Sequence, residues 1–290
     1  MISILTHNKD LCSIEISPQG IAIACADNSG EAKIVCLFSP CQEYHEIKQC
    51  LSDIVEKNNL KKMKCNWVLH PSQYHLKLTN TPNVPQAEYK TAVRWQIKDI
   101  ISYPLEDTAI EIFHPDEFTQ RPKKIYVIVA QNSFLQSIVD IIQECHLHPI
   151  AIDIREFAIR NLLAENELVG FIDIAAESCV LIIMQQKRLK FVRSIPLGWQ
   201  KLKADGYSEL TKELQRSFNY CTTELKQEIP TKFLIPPISN IDANMAQNIA
   251  TSLGKNVTIL NLQKLLSFTP TTTPETIKNC WAAIGGALRK

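Results

Sequence analysis

The sequence predicts an α/β protein built from two copies of one βββαβα unit, with a small α+β subdomain inserted after the first copy. The first observation is a self-match, because a shift of 158 residues places Ile14 on Ile172 and superposes two hairpins without a gap. The second is the hydrophobic patterning, which repeats the same element order in both copies. The third is composition: 290 residues, 45% hydrophobic and 21% charged, are typical of a globular chain with a sizeable core.

The first copy opens with three short apolar runs that predict an antiparallel meander. The runs cover residues 12–16, 21–26 and 32–38. Turn residues separate them at Pro18-Gln19-Gly20 and Asn28-Ser29-Gly30. An amphipathic helix and a strand at 66–69 follow. The apolar face of that helix consists of Ile47, Leu51, Ile54 and Val55. We assign residues 1–84 to this first lobe.

Residues 85–153 predict the inserted α+β subdomain. Val93, Ile97 and Ile100 have the spacing of one helix face, and Pro104 ends that helix. Two strands, at 108–113 and 124–129, lead into a second amphipathic helix. Its apolar face consists of Phe134, Ile138, Ile141 and Ile142.

Residues 154–290 predict the second lobe. Ile172-Asp173-Ile174 takes the place of Ile14-Glu15-Ile16, so each copy has an acid between two isoleucines. Further strands are predicted at 179–182, 232–235 and 257–260, with one more after the hairpin. The helix faces are Leu210, Leu214, Phe218, Cys221 and Leu225, then Met245, Ile249 and Leu253, and finally Ile277, Trp281, Ile284 and Leu288. A chance match of two apolar hairpins is the alternative, and the repeated element order favours duplication.

Composition excludes several classes of function. With 31 basic and 30 acidic side chains, the net charge of +1 gives no bulk attraction for nucleic acid. There are only 8 glycines and no glycine-rich phosphate motif. Cys145-His146-Leu147-His148 lacks a second ligand pair, so we predict no metal site. Other cysteines lie among apolar neighbours and predict reduced core thiols, namely Cys12, Cys25, Cys36, Cys65, Cys179 and Cys221.

No targeting or membrane segment is predicted. Lys9 and Asp10 interrupt the amino-terminal apolar stretch, which excludes a signal peptide. The best candidate for a span, residues 125–139, is too short and contains polar side chains. We therefore expect a cytoplasmic protein without direct membrane insertion, whose membrane contact comes through a partner.

Two lobes that each present an acid-bearing strand and a hairpin turn are the plan of the actin-like, sugar-kinase-like superfamily, which has a ribonuclease H-like fold. In that plan, backbone N–H groups of the turns hold phosphates, and the acids hold a hydrated metal ion. ATP with Mg²⁺ is the cofactor such a cleft would take. The candidate cleft residues are Glu15, Ser17, Gln19, Asp173, Ala175, Glu177, Ser178, Ser239 and Gly285.

The phosphate-binding elements of this cleft are degraded in the sequence. Pro18 removes a backbone donor, and Ala175 and Ala176 put Cβ atoms where glycine normally permits close approach. The strand at 232–235 runs into Pro236-Pro237 instead of a Gly-Gly loop. We predict no catalytic residue, and ATP binding that is weak or lost. Glu15 and Asp173 are either metal-associated acids or solvated, turn-capping groups, and the sequence leaves both interpretations open.

Six segments in order carry a resemblance to a family. The chain resembles the PilM-type actin-like proteins of type IV pilus machinery, and most closely the MshI branch of mannose-sensitive haemagglutinin (MSHA) pili. The segments are 12–17 (CSIEIS), 92–99 (AVRWQIKD), 171–175 (FIDIA), 189–198 (LKFVRSIPLG), 213–220 (ELQRSFNY) and 282–289 (AAIGGALR).

The resemblance implies a scaffold at the inner face of the inner membrane. Such proteins resemble the division protein FtsA and bind the cytoplasmic tail of a bitopic PilN-like protein, which connects them to other pilus components. A groove beside the inserted subdomain could seat an extended or helical tail through apolar contacts. Trp95 could line that groove; the alternative, which we favour, places Trp95 in the core.

Two other functions remain open. An ATP-dependent small-molecule kinase of the same superfamily is motivated by Glu15, Asp173 and the duplication. A polymerising, division-type actin homologue is the other, and it is disfavoured because residues 276–290 read as a packed helix rather than as a membrane-targeting tail.

Overall fold

The computed structural model describes residues 11–27, 33–41, 44–115, 124–164 and 166–289. The predicted turn at Asn28-Ser29-Gly30 and the predicted start of the third strand at residue 32 lie outside these ranges. The elements of the amino-terminal half are β1 (Leu11–Ser17), β2 (Gly20–Asp27), β3 (Lys33–Ser39), α1 (Ile47–Lys57), β4 (Lys64–Leu69), β5 (His75–Asn80), α2 (Tyr89–Arg94), β6 (Thr108–Phe113), β7 (Lys124–Gln131), α3 (Asn132–Glu144), β8 (His148–Ile154) and α4 (Arg155–Leu162).

The carboxy-terminal half repeats the pattern of the first. Its elements are β9 (Leu168–Ile174), β10 (Cys179–Gln185), β11 (Arg188–Ile195), α5 (Trp199–Asp205), α6 (Ser208–Thr223), β12 (Lys232–Ile235), α7 (Ala243–Leu253), β13 (Asn256–Ile259), α8 (Leu262–Leu265), α9 (Pro274–Asn279) and α10 (Trp281–Ala287). The described helices include none that is long and apolar enough to cross a membrane.

Two five-stranded sheets with one topology confirm the duplicated ribonuclease H-like fold. The first sheet has the order β3-β2-β1-β4-β8, and the second has β11-β10-β9-β12-β13. In each, a three-stranded antiparallel meander continues into two parallel strands. A third sheet, β5-β7-β6, forms the inserted subdomain.

The strand register repeats with the sequence. Ile14 pairs with Ile23 in the first hairpin, and Ile172 pairs with Leu181 in the second, so both partners move by the same shift. Glu15 and Asp173 therefore occupy equivalent positions on β1 and β9. Because side chains alternate along a strand, this shared register places Glu15 and Asp173 on corresponding faces of the two sheets.

Sheet membership differs from the predicted domain limits at two places. Strand β5, inside the predicted first lobe, belongs to the third sheet, and β8, inside the predicted subdomain, is the outer strand of the first sheet. Strand β5 was not predicted from the sequence, because this short segment of mixed polarity becomes a strand through its pairing with β7. The domain limits 1–84, 85–153 and 154–290 remain predictions. The strand pairing favours moving β5 into the inserted subdomain and β8 into the first lobe.

Two predicted helices are broken into shorter pieces. Helix α2 ends at Arg94, and tight turns carry Ile97 back onto the third sheet, where it is buried with Val93. The predicted final helix is interrupted at Cys280, whose ψ of 7° is not helical. Trp95 is 72% exposed, so its assignment to the core is wrong. Val93 lies on the buried face of the short helix α2, and Trp95 follows the last residue of that helix on its exposed side.

Helices α4 and α10 fill the space between the first and second sheets. Ala158 on α4 and Ile284 on α10 are fully buried in a core that takes side chains from both sheets, such as Val68 and Phe171. The six cysteines predicted to be core thiols are all buried. Both lobes therefore share one central core.

Gly285 permits the close contact of the two central helices. A Cβ atom at this position would lie 2.3 Å from the carbonyl oxygen of Ala158, well inside van der Waals contact. Elsewhere in a helix, replacing Gly by Ala is stabilising by about 1 kcal/mol.

We therefore expect Gly285→Ala to lower the free energy of unfolding by about 1–3 kcal/mol, because overpacking outweighs the gain in helix propensity. Chemical denaturation measures it. A variant as stable as the wild-type protein, or more stable, would contradict this packing.

Candidate functional site

A polar cleft lies between the lobes, at the carboxyl ends of β1, β8 and β9. This is the edge at which open α/β sheets bind ligands. The cavity has a volume of about 130 Å³. Six of the predicted cleft residues line it, namely Glu15, Ser17, Gln19, Asp173, Ala175 and Ser239.

Arg155, the first residue of α4, joins the two predicted acids across this cleft. Its Nε donates to Oε1 of Glu15 at 2.8 Å, and its Nη1 donates to Oδ2 of Asp173 at 2.9 Å. Its Nη2 also donates to Oε1 of Glu15. All three side chains are buried. The acids do face each other across the lobes, but each is ion-paired, so neither is a solvated group.

The rest of the environment also favours the charged guanidinium. The Cζ atom of Arg155 lies 5.2 Å from the ring centroid of Trp281 on α10, a distance at which a cation is attracted to an aromatic face. Burial alone would lower the pKa of Arg155, but attraction to Glu15 and Asp173 outweighs it and raises that pKa. Burial raises the pKa of Glu15, and Arg155 works in the opposite direction.

The hairpin turns use much of their backbone internally. Pro18 has no N–H, and the N–H of Gln19 donates to Oγ of Ser17 at 3.3 Å. In the second turn, the N–H of Ala175 donates to the carbonyl of Ser178 at 2.8 Å. Trp199 at the start of α5 donates to the carbonyl of Ala175 at 2.9 Å. These contacts occupy the N–H groups of Gln19 and Ala175, and Pro18 has none to offer.

Three predicted cleft residues do not line the cleft. Glu177 is exposed and Ser178 is half-buried, and neither lines the cavity. Gly285 is packed against α4, where it serves helix contact. Ser239 does line the cleft, but its hydroxyl donates to the carboxylate of Glu275 at 2.7 Å.

Sequence reasoning missed the residues that define the cleft chemistry, chiefly Arg155, Trp281 and His70. Burial, with a smaller effect from Arg155, lowers the pKa of His70 to about 3, so His70 is neutral at pH 7. Its Nδ1 accepts a hydrogen bond from the N–H of Ser72 at 3.3 Å. One sequence feature could have pointed to Arg155. The charged pair Arg155-Glu156 directly follows the apolar residues of β8, and charged side chains between buried elements need partners.

A second concavity is apolar and lies between the inserted subdomain and the first lobe, with a volume of about 280 Å³. We call it the apolar groove. Strands β6 and β8, the outer strands of their sheets, contribute to its two sides. Its lining residues are Leu69, Ala109, Glu111, Ile112, Phe113, Ile128, Ala130, Leu135, Ile152, Ile154 and Phe157. Trp95 does not line it.

Comparison with known proteins supports the fold at the level of structure. Neither a protein-family profile nor a curated protein matches the sequence. Among solved structures, the chain is similar to the PilM–PilN type IV pilus biogenesis complex, with 18% identity, a TM-score of 0.72, and coverage of 96% of this chain and 98% of that one.

Two further structures share the fold. One is the cytoplasmic domain of EpsL, an inner-membrane component of the Vibrio cholerae type II secretion system, with 11% identity, a TM-score of 0.53 and coverage of 78% and 81%. The other is a Bacteroides thetaiotaomicron protein of unknown function with an actin-like ATPase fold, at 8% identity, a TM-score of 0.54 and 98% coverage of both chains. The chain therefore has the actin-like fold, as in the structure of PilM.

We expect Arg155→Met to destabilise the protein by about 3–5 kcal/mol at pH 8, because it leaves two buried carboxylates without a cation. Loss of the guanidinium raises the pKa of Glu15 further above its ordinary value of 4.5. A carboxyl whose pKa is higher in the folded state contributes stability that is complete below the unfolded pKa and is lost as pH rises through the folded pKa.

The deficit of the variant should therefore shrink as pH falls toward 4.5, which denaturation at several pH values measures. The triple variant Glu15→Gln, Asp173→Asn, Arg155→Met is the control, and it should show little pH dependence of its own from this site. A deficit that is equal at all pH values would exclude the ion pairing.

Proposed function

We propose that the chain is a cytoplasmic, non-hydrolysing scaffold of type IV pilus biogenesis that binds the cytoplasmic tail of a PilN-like inner-membrane protein. The similarity to the PilM–PilN complex over 96% of this chain is the observation that carries the proposal. The segments shared with the MshI branch favour an MSHA-type pilus. On this proposal the protein is held at the inner face of the inner membrane by its partner.

The cleft chemistry supports a scaffold without nucleotide hydrolysis. A metal-bound nucleotide needs carboxylate oxygens free to bind the hydrated ion. Here a guanidinium already uses Glu15 and Asp173, and it brings its own positive charge to the place of the ion. The cavity of about 130 Å³ is also below the roughly 300–1,000 Å³ that is typical of small-molecule sites.

The apolar groove is the best candidate for the partner's tail. Two of the strands that line it, β6 and β8, are outer strands of their sheets, so one edge of each has no strand partner among the described residues. Phe113 and Phe157 pack edge to face at 5.4 Å at one end, which gives the groove an aromatic boundary. Extended peptides bind such surfaces through backbone hydrogen bonds, with alternate side chains entering apolar pockets. We therefore favour an extended tail over a helical one.

We expect no nucleotide binding by the wild-type protein. A ligand that binds only the folded state raises the free energy of unfolding as its concentration exceeds the dissociation constant. Thermal denaturation with and without millimolar Mg-ATP should give the same midpoint, and calorimetric titration should give no saturable heat.

A saturable increase in the denaturation midpoint with Mg-ATP would contradict the loss of nucleotide binding if it disappears in Asp173→Asn and persists in Glu177→Gln, on the exposed turn. It would favour the alternative of an ATP-dependent small-molecule kinase, which is motivated by the paired acids and the duplicated lobes. Turnover of ATP with a small acceptor would then decide for the kinase.

Ile152→Glu should weaken binding of the partner's tail at least tenfold, because it places a charge in the apolar groove. The probe is a synthetic peptide that copies the residues before the membrane span of a PilN-like protein from the same organism, and fluorescence anisotropy measures its affinity. Ile259→Glu is the matched control, since Ile259 is half-buried on β13, the second-lobe counterpart of β8.

Equal affinities for wild-type and Ile152→Glu protein would remove the groove from the proposal, and no binding by the wild-type protein would count against the scaffold itself. Trp95→Ala tests the remaining prediction for the exposed tryptophan. A weakened affinity in that variant would extend the partner surface to α2.

A further inference from the structure

We propose that a basic surface on the first lobe, at the end remote from the cleft, contacts an anionic lipid bilayer. We define this basic patch as Lys57, Lys62, Lys64, His146 and His148. This inference rests on the proposed function in one respect: binding to the tail of a membrane protein would hold the scaffold close to the bilayer. The contact is electrostatic and requires no inserted segment.

The residues of the basic patch come together at one end of the first sheet. Lys64 and His148 begin the parallel neighbours β4 and β8, whose carboxyl ends meet the cleft at the opposite edge. Lys57 ends α1 nearby, and all five side chains are exposed. Together with Lys61, part of this surface forms a shallow depression of about 610 Å³.

Two backbone hydrogen bonds hold this surface in a fixed shape. The N–H of Lys62 donates to the carbonyl of His146 at 2.7 Å, and the N–H of His148 donates to the carbonyl of Met63 at 2.9 Å. These bonds join the loop before β4 to the loop before β8. The charges are therefore presented on a rigid surface and not on a free tail.

Among the described residues, the acids near the basic patch are paired with lysines outside it. Of the nearby acids, Glu56 pairs with Lys61 at 2.9 Å and Glu144 pairs with Lys48 at 2.7 Å. Within the described ranges, no carboxylate lies within ion-pair distance of Lys57, Lys62 or Lys64. Since the whole chain carries a net charge of only +1, the patch is a local concentration of charge.

Strand β8 connects the basic patch to the apolar groove. His148 opens the strand, Ile150 is 45% exposed, and Ile152 lines the groove. At about 3.3 Å per residue, the patch begins roughly 13 Å from the groove. A tail that leaves the groove along β8 toward the membrane therefore passes the patch, which turns this end of the lobe to the bilayer.

A bilayer surface fits this patch in charge and in shape. The cytoplasmic leaflet carries anionic lipids, and each lysine close to such a surface contributes roughly a fivefold increase in binding. Three lysines on one surface, none with a carboxylate partner in the described ranges, give about a hundredfold. That increase becomes useful once a partner's tail already holds the protein nearby.

The test uses the full chain and phosphatidylcholine vesicles prepared with or without phosphatidylglycerol. We expect co-sedimentation with the anionic vesicles at low ionic strength, little with the neutral ones, and a steep loss on adding salt. The triple variant Lys57→Gln, Lys62→Gln, Lys64→Gln should lower the partition coefficient about a hundredfold. The matched control removes three exposed lysines of the second lobe, Lys212→Gln, Lys226→Gln and Lys264→Gln, and should change it less than twofold.

Several outcomes overturn the proposal: no binding of wild-type protein to anionic vesicles, an equal loss in the control, or no loss in the patch variant. Capture of an acidic protein through the patch without vesicle binding also overturns it, by assigning the surface to a protein. Binding of the soluble tail peptide separates the two proposals, because the triple lysine variant should bind this peptide with the affinity of the wild-type protein. If the wild-type protein binds anionic vesicles but not the tail peptide, only the proposed function is contradicted.

Discussion

The buried contact of Arg155 with Glu15 and Asp173 is the interaction on which the rest of the structure depends. It joins β1 of the first lobe, β9 of the second and the helix between them. Removing three charged groups from water costs several kcal/mol per ion, so the arrangement is tolerable only because each charge has a partner and Trp281 covers the guanidinium. The relative position of the lobes is therefore tied to one arginine.

The same contact gives both acids of the interlobe cleft a partner within the chain. The acids stay at equivalent positions of the two hairpins, and the register around them is preserved. Their charge is compensated from inside the chain, so folding needs no bound cation. The apolar groove and the basic patch lie elsewhere on the surface, along β8.

Local and periodic features could be predicted from the sequence. The two hairpins, the duplicated order and the equivalence of Glu15 with Asp173 follow from a pattern that repeats with a fixed shift, and the structure has all three. Trp95, the broken helices and the strand β5 could not be predicted, because tertiary contacts decided them. Arg155 was missed for a deeper reason: its partners are 140 and 18 positions away in the chain, and only folding brings them together.

The central claim is that a side chain takes the place of the metal ion between the paired acids. Crystals grown with Mn²⁺ and a non-hydrolysable nucleotide test it directly, because the anomalous signal of manganese locates the ion. We expect no manganese between Glu15 and Asp173, and a guanidinium that still bridges the two carboxylates. A manganese ion bound to both acids, with Arg155 displaced, would contradict the account.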